Sequence, residues 1–188
     1  MTLISLAVLD VASSSVAGEV ELSGDPRGMV SSADGNIIYV ACGPNKLVAI
    51  NLHSGTVLSE IVVGGEPVDV VATSDGWRLY VSCEDANHVA VVDAPHNVFI
   101  GAIATGDAPE GMAIAPTNQK VYVSEGNDEL LSVIDTARNL RKKTKIASIG
   151  SPTGVAVTGV PQLLSGESAR ICRLSWGNGC WPGDMSCH

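Results

Sequence analysis

The chain has 188 residues and a net charge of −9, with 45% hydrophobic and only 16% charged residues. This hydrophobic content excludes an intrinsically disordered chain, because disorder goes with low hydrophobicity and high charge. The acidic balance excludes a general nucleic-acid-binding surface, since binding to phosphates requires a basic one.

The first segment, residues 1–20, has an apolar run and small residues like those of a signal peptide. It lacks the positively charged start that such peptides carry. The pair Leu9-Asp10 instead matches Ile50-Asn51, which closes a similar apolar run further along the chain. We therefore interpret this segment as strands, with the chain entering a repeat at its third strand. All of the apolar runs are too short to span a membrane.

A sequence repeat of about 42 residues occupies most of the chain. Each copy begins with a Gly-acidic-Pro turn, continues through a Tyr-Val pair and closes with an apolar run ending in Asn or Asp. The turns, with an inserted alanine in the third and serine for the acidic residue in the fourth, are Gly24-Asp25-Pro26, Gly65-Glu66-Pro67, Gly106-Asp107-Ala108-Pro109 and Gly150-Ser151-Pro152. The pairs are Tyr39-Val40, Tyr80-Val81 and Tyr122-Val123, and the closing residues are Asn51, Asp93 and Asp135.

Side chains within each copy alternate with a period of two, which is the signal of half-buried strands. One face of the strand that carries each Tyr-Val pair holds Ile38, Val40 and Cys42, then Leu79, Val81 and Cys83, then Val121, Val123 and Glu125. Asp34-Gly35 and Asp75-Gly76 are hairpin-turn signals. Four short strands per copy predict an all-β fold, a β-propeller-type array of four-stranded antiparallel blades. About three and a half blades are present.

The repeat ends near residue 160, which divides the chain into propeller repeats at 1–160 and a tail at 161–188. Closed propellers need four to eight blades, so this number of blades leaves an open sheet edge. The prediction is that the chain is part of a larger propeller whose missing blades complete the ring. A homo-oligomer, or a small irregular ring that uses the tail, are the alternatives.

The repeat resembles the YVTN family of β-propeller repeats over residues 4–158, through Gly106 to Ala113, Tyr122-Val123, Ile134-Asp135 and their copies. The Thr-Asn that follows Tyr-Val in that family is replaced by Ala41-Cys42, Ser82-Cys83 and Ser124-Glu125. The resemblance implies a propeller and a periplasmic or extracellular location. It does not identify an activity, because propellers host many functions.

The tail contains three of the five cysteines, and no two cysteines of the chain are spaced as CxxC. Gly166-Glu167 and the stretch from Arg173 to Ser175 resemble the segment before the first haem site of MauG-like dihaem cytochrome c peroxidases. That resemblance implies haem c attachment at Cys187 and His188. The CxxCH motif is broken, because Asp184 stands where its first cysteine belongs. The alternative is an irregular chain end.

Carboxylates recur in the Gly-acidic-Pro turns as Asp25, Glu66 and Asp107, which a propeller would place on one face. With the neighbouring loop residues Glu84, Asp85 and Asp128 they form a candidate Ca²⁺ site, because hard cations prefer oxygen ligands. The alternative is that Asp and Glu simply suit solvated turns before proline.

Three other residue types admit a functional interpretation, each beside a structural one. Cys42 and Cys83 could form a disulfide bridge, bind a metal together, or serve as small core side chains. Their alternation with a period of two favours the core. The histidines lie in no nucleophile motif and are predicted to be solvated residues at turns and strand ends. The basic run from Arg138 to Lys145 is a docking patch or guards an edge strand. The histidines are His53, His88, His96 and His188, and the basic run comprises Arg138, Arg141, Lys142, Lys143 and Lys145.

These observations favour a non-enzymatic scaffold whose loop face binds a protein partner or a ligand. One alternative is the propeller portion of a haem-dependent redox protein. The other is a hydrolase or lactonase that uses a metal on the carboxylate face, with Asp25, Glu66 and Asp107 as the candidate ligands.

Overall fold

A computed structural model describes residues 4–127, 130–145 and 152–157. Within these residues the chain forms fourteen strands, and no described segment is helical. The strands make one two-stranded and three four-stranded sheets, all antiparallel.

We call the sheets blades 1 to 4 in chain order. Blade 1 contains β1 (Ile4–Asp10) and β2 (Ser15–Leu22). Blade 2 contains β3 (Pro26–Ser31), β4 (Ile37–Cys42), β5 (Lys46–Asn51) and β6 (Thr56–Val62). Blade 3 contains β7 (Pro67–Ala72), β8 (Arg78–Cys83), β9 (His88–Asp93) and β10 (Val98–Ala104). Blade 4 contains β11 (Pro109–Ile114), β12 (Lys120–Glu125), β13 (Leu130–Asp135) and β14 (Leu140–Lys145).

The first strands of neighbouring blades lie close together, and a glycine two residues after the turn proline, present in three of the four copies, allows this approach. A Cβ on Gly28 of β3 would lie 2.6 Å from the Cα atom of Asp69 in β7. A Cβ on Gly111 of β11 would lie 2.7 Å from the Cα atom of Gly154. Real Cβ atoms do not come this close to backbone atoms, so the glycines of the motif bring these strands into contact.

The core lies between the blades, in three clusters of buried apolar side chains. The cluster between blades 2 and 3, for example, joins Tyr39 and Leu47 of one blade to Val81 and Cys83 of the next. Blades 2 and 3 therefore bury both faces of their middle strands, which explains why most residues of β4 and β8 are buried. Apolar burial of this kind is the dominant stabilising term of such a fold.

The tyrosines of the first two Tyr-Val pairs carry hydroxyls that reach the next blade. Tyr39 Oη donates a hydrogen bond to the carbonyl of Ala94 at 3.2 Å. Tyr80 Oη donates to Oδ1 of Asn139 at 3.0 Å. Both acceptors lie in the turn between the third and fourth strands of the following blade. The repeated tyrosine thus anchors one blade to its neighbour, because a buried hydroxyl needs a partner.

The predicted all-β, propeller-type fold with about three and a half blades is confirmed by the four sheets of the structure. Blade 1 consists of the two strands that correspond to the third and fourth strands of the others, as the match of Leu9-Asp10 to Ile50-Asn51 predicted. In the described part of the chain, no helix is long and apolar enough to cross a membrane. The predicted tail, 161–188, lies outside the described residues.

Candidate functional site

The topology sorts the turns of the three complete blades onto two opposite ends. In an antiparallel four-stranded blade, the connections between strands two and three lie at the same end as the connections to the next blade. We call this end the acidic face; its described turns are residues 23–25, 43–45, 63–66, 84–87, 105–108 and 126–127. The other end, the opposite face, is formed by residues 11–14, 32–36, 52–55, 73–77, 94–97, 115–119 and 136–139.

The three carboxylates that the sequence singles out, Asp25, Glu66 and Asp107, all lie on the acidic face, as predicted. Glu66 forms an ion pair with Arg27, which also contacts Oε2 of Glu84 at 3.4 Å. Oδ2 of Asp107 accepts a hydrogen bond from Nδ2 of Asn127 at 3.0 Å. The three carboxylates thus share a face, but Glu66 and Asp107 each interact with a different neighbouring side chain.

No group of three or more Asp, Glu, His and Cys side chains is placed to hold a metal ion within the described residues. The Ca²⁺ site at Asp25, Glu66 and Asp107 therefore stays a prediction, and Asp128 lies outside the described residues. Asp85, a further member of the predicted set, instead accepts a hydrogen bond from the backbone N–H of Glu66 at 2.6 Å.

Two half-buried carboxylates within the first strands of blades 3 and 4 were not singled out by the sequence. Burial raises the pKa of Asp69, although its oxygens accept the backbone N–H groups of Met112 and Val70, each at 2.8 Å. Burial, with the negative charge of Glu84 second, raises the pKa of Glu110. Asp69 stands where the other copies have glycine, and that departure from the repeat was the available signal.

Cys42 and Cys83 are buried free thiols, which confirms their interpretation as small core side chains. They lie in different clusters, Cys42 between blades 1 and 2 and Cys83 between blades 2 and 3, so they form neither a bridge nor a metal pair. Burial raises the pKa of Cys42 to about 11 and that of Cys83 to about 12. Thiols held neutral in this way are poor nucleophiles.

The described histidines have local structural roles. Nε2 of His88 is 2.9 Å from the carbonyl oxygen of Val63, and Nδ1 of His96 is 2.8 Å from Oδ1 of Asp93. His53 is exposed in the turn that follows β5, as predicted. His88 departs from the expected solvated state, because it is only partly exposed at the start of β9.

The basic run leads into β14, the outermost strand of blade 4, as the sequence predicted. Arg141 departs from the role of an exposed edge charge, because its side chain is only 12% exposed. Nη2 of Arg141 is 2.6 Å from Oε1 of Glu125, whose side chain is fully buried. The pairing register places these residues and Ser132 on one face of β12, β13 and β14, turned toward blade 3.

The buried carboxylate of Glu125 is surrounded by donors on one oxygen only. Its Oε1 accepts hydrogen bonds from the hydroxyl of Ser132, from Arg141 and from the backbone N–H of Gly106, the last at 2.8 Å. Its Oε2 is buried and has no hydrogen-bond partner among the described residues. We call Glu125, Ser132 and Arg141 the ionic triplet; a charge buried in this way depends on its partner.

A pocket of about 230 Å³ opens on the opposite face between blades 2 and 3. We call it the inter-blade pocket. Tyr39, Leu79 and Ala94 are its buried apolar members; its polar side chains are Ser32, Asp34 and Asn97 in turns and Arg78 at the start of β8. Oδ1 of Asn97 is buried and accepts no hydrogen bond within the described residues. The sequence analysis did not predict this pocket.

The haem hypothesis rests on Cys187 and His188, which lie outside the described residues. The resemblance of the tail to a dihaem peroxidase segment therefore stays a prediction.

No family model and no curated protein matches the chain. Solved structures do match: the chain is similar to hydrazine synthase from Kuenenia stuttgartiensis, with a TM-score of 0.72 and 24% identity over 86% of this chain and 46% of that chain. It is also similar to the WD40 repeats of RRP9, with a TM-score of 0.67 and 18% identity over 81% of this chain and 46% of that one. For U3-55K the TM-score is 0.66, with 17% identity over 81% of this chain and 46% of that one.

At identities below 25%, these likenesses concern the fold alone. Together with the four sheets they define the chain as a β-propeller-type protein. The chain spans less than half the length of each of these solved chains.

Proposed function

We propose that the chain is a non-enzymatic propeller scaffold of the YVTN kind, whose acidic face binds a cationic protein partner. One observation carries the proposal. The described turns of this face contain five carboxylates and neither lysine nor arginine. The five are Asp25, Glu66, Glu84, Asp85 and Asp107.

The described cations next to the face cancel only one of these five charges, that which Arg27 offsets between Glu66 and Glu84. Arg27 is held by Glu66 and Glu84, and Lys46 is paired with Glu60 at 2.6 Å. A face of one sign attracts partners of the other sign, accelerates their association and disfavours partners of like charge. This face is therefore suited to a basic segment of another protein.

The turns of the acidic face are tied to one another by equivalent backbone hydrogen bonds in each complete blade. The N–H of Gly43 donates to the carbonyl of Asp25, that of Glu84 to Glu66 and that of Gly126 to Ala108, each at 2.9 Å. A face held in this way loses little conformational freedom on binding, which favours affinity. Preorganised loops on a rigid frame support a binding role.

The test removes charge from the acidic face and, in a matched control, from elsewhere. The face variant is Asp25→Asn with Asp107→Asn; the control is Glu19→Gln with Glu21→Gln, two exposed residues of β2. Both pairs change the net charge by the same amount. Binding of a decalysine peptide is measured by titration at about 50 mM salt, where screening of surface charges is weak.

We expect the face variant to bind the peptide about fivefold more weakly than the native chain, and the control to bind it nearly as well. Equal weakening in both variants would mean that only the net charge matters, and it would overturn the proposal. Circular dichroism of both variants confirms that the strands are intact.

A further inference from the structure

The inter-blade pocket is lined by one buried acceptor that the described residues leave without a donor and by one carboxylate. Oδ1 of Asn97 is buried and accepts nothing within the described residues. Asp34 adds a carboxylate whose pKa is lowered to about 2, chiefly by the hydroxyl of Ser32, so it is charged at neutral pH. A buried acceptor without a donor is costly, and an external donor would remove that cost.

The positive charge already in the pocket is engaged by the protein. Arg78 is the only cation among the described lining residues. Its Nη1 donates to the carbonyl of Trp77 at 3.1 Å and lies 3.6 Å from Oδ2 of Asp93. Nη1 of Arg78 is thus engaged, while Asn97 and Asp34 provide the acceptors of the pocket.

The next blade interface shows how the same position is satisfied internally. Asn139 occupies in blade 4 the turn position that Asn97 occupies in blade 3, and both have positive φ, 52° and 54°. Oδ1 of Asn139 accepts the hydroxyl of Tyr80, whereas Tyr39 donates to the carbonyl of Ala94 instead. Between blades 2 and 3 the amide oxygen is thus left without a donor among the described residues.

We propose that the inter-blade pocket binds a guanidinium or ammonium group, which donates to Oδ1 of Asn97 when the amide turns toward the pocket and is balanced by the carboxylate of Asp34. The group comes either from a small free amine or from an arginine or lysine side chain of a peptide. A volume of about 230 Å³ accommodates such a group with a few carbon atoms. The net charge of −9 favours the arrival of a cation. This site lies on the face opposite to the one in the proposed function and does not depend on it.

The chemistry of the ligand is tested with two isosteric probes, methylguanidinium and N-methylurea. Their binding is followed by chemical-shift changes of the backbone amides of Asp34, Arg78 and Asn97 in a nitrogen-15-labelled sample. We expect the cation to bind at about millimolar concentration, as suits so small a ligand, and the neutral isostere to bind about tenfold more weakly. Equal binding, or shifts located elsewhere, would overturn the proposal.

Variants of one side chain then separate recognition from folding. Asn97→Gly removes the acceptor at a position that Gly55 fills with positive φ in blade 2, so the turn is retained. It should bind methylguanidinium about tenfold more weakly, while Asn97→Asp should bind it about tenfold more tightly. The matched control Asn139→Gly, at the equivalent position of blade 4, should leave binding unchanged. Equal losses in the two glycine variants, or no gain in Asn97→Asp, would contradict the assignment.

Two further probes distinguish the sources of the cation. Agmatine represents a free amine, and the blocked tripeptide acetyl-Gly-Arg-Gly-amide represents a side chain on a peptide. Tighter binding of either one supports the pocket and identifies the source, whereas binding of neither overturns it. The acidic-face variant Asp25→Asn with Asp107→Asn should bind both probes like the native chain, so this proposal and the proposed function fail separately.

Discussion

The interface between blades 2 and 3 and the interface between blades 3 and 4 use equivalent positions but different kinds of side chain. One face of the last three strands of blade 3 carries the buried Cys83 and Ala90, which pack toward blade 2, and the more exposed Phe99. Blade 4 turns the ionic triplet toward blade 3 from the same three positions. Blade 2 repeats the apolar solution toward blade 1 with Cys42, Val48 and Val57.

The fold does not require the ionic triplet, because blades 2 and 3 form the same four-stranded sheet without it. Its value to stability is small or negative, since desolvation of both charges offsets their attraction. Removing only one member is a different matter, because it leaves the other charge buried without a partner. The three substitutions in blade 4 must therefore be considered together.

The largest effect is expected from Arg141→Met, which leaves the carboxylate of Glu125 buried without its cation. The free energy of unfolding should fall by about 3–5 kcal/mol, as is typical of a broken buried ion pair. Urea unfolding followed by circular dichroism measures the change. Lys142→Met is the matched control at the exposed neighbouring position, and it should cost less than about 0.5 kcal/mol. A loss below about 1 kcal/mol for Arg141→Met would show that water reaches the carboxylate.

The second prediction transplants the apolar solution of blade 3 into blade 4. The triple variant Glu125→Cys, Ser132→Ala and Arg141→Phe should recover at least about 2 kcal/mol relative to Arg141→Met alone, because no buried charge is left. Its free energy of unfolding should be close to that of the native chain or above it. A triple variant as unstable as the single one would mean that blade 4 needs the ionic triplet to pack against blade 3.

The sequence predicted most of the residues at these interfaces, but not the inward position of Arg141. Strand alternation placed Cys42, Cys83 and Glu125 at one inward position, and the burial of all three agrees with it. Arg141 was interpreted as part of an exposed basic run, because a run of charges says nothing about which side chain turns inward. The strand pairing could have indicated the inward position of Arg141. Ser132 and Arg141 are polar at the positions diagonal to Glu125, where the other blades have apolar residues.

The inter-blade pocket could not be predicted from the repeat. The sequence has an equivalent tyrosine and asparagine at both interfaces, Tyr39 with Asn97 and Tyr80 with Asn139. Which acceptor each hydroxyl takes depends on small differences in the distance between neighbouring turns. A pattern of residue types does not contain distances of that kind, whereas it does contain the period and turn signals that define the strands.

The third prediction concerns the apolar side of the comparison. Cys42 and Cys83 should resist alkylation by iodoacetamide at about pH 8.5, because burial raises their pKa values to about 11 and about 12. An ordinary cysteine ionises near pH 9.0, so the thiolate fraction of these two falls about 100-fold or more. Mass spectrometry of the peptides that contain them compares native with urea-unfolded protein. Similar rates in both states would contradict their burial.

These thiols also give a pH dependence of stability with a definite sign. Between about pH 9 and 11 the cysteines of the unfolded chain lose their protons while those of the folded chain keep them. The unfolded state then binds fewer protons, so stability falls as the pH rises through this range. A variant with Cys42→Ala and Cys83→Ala should show a shallower fall in melting temperature across it. An unchanged slope would show that other groups dominate.

The smallest effect separates the two tyrosine links. Tyr80→Phe should lower the free energy of unfolding by about 1 kcal/mol, because Oδ1 of Asn139 loses its donor. Tyr39→Phe should cost less than about 0.5 kcal/mol, because the carbonyl of Ala94 still accepts the N–H of Asn97 at 3.3 Å. Urea unfolding of the two variants measures this difference, provided that the free energy of unfolding depends on urea concentration with the same slope in both. Equal costs would mean that Tyr39 donates to Asn97 in solution, which would fill the free acceptor on which the inter-blade pocket depends.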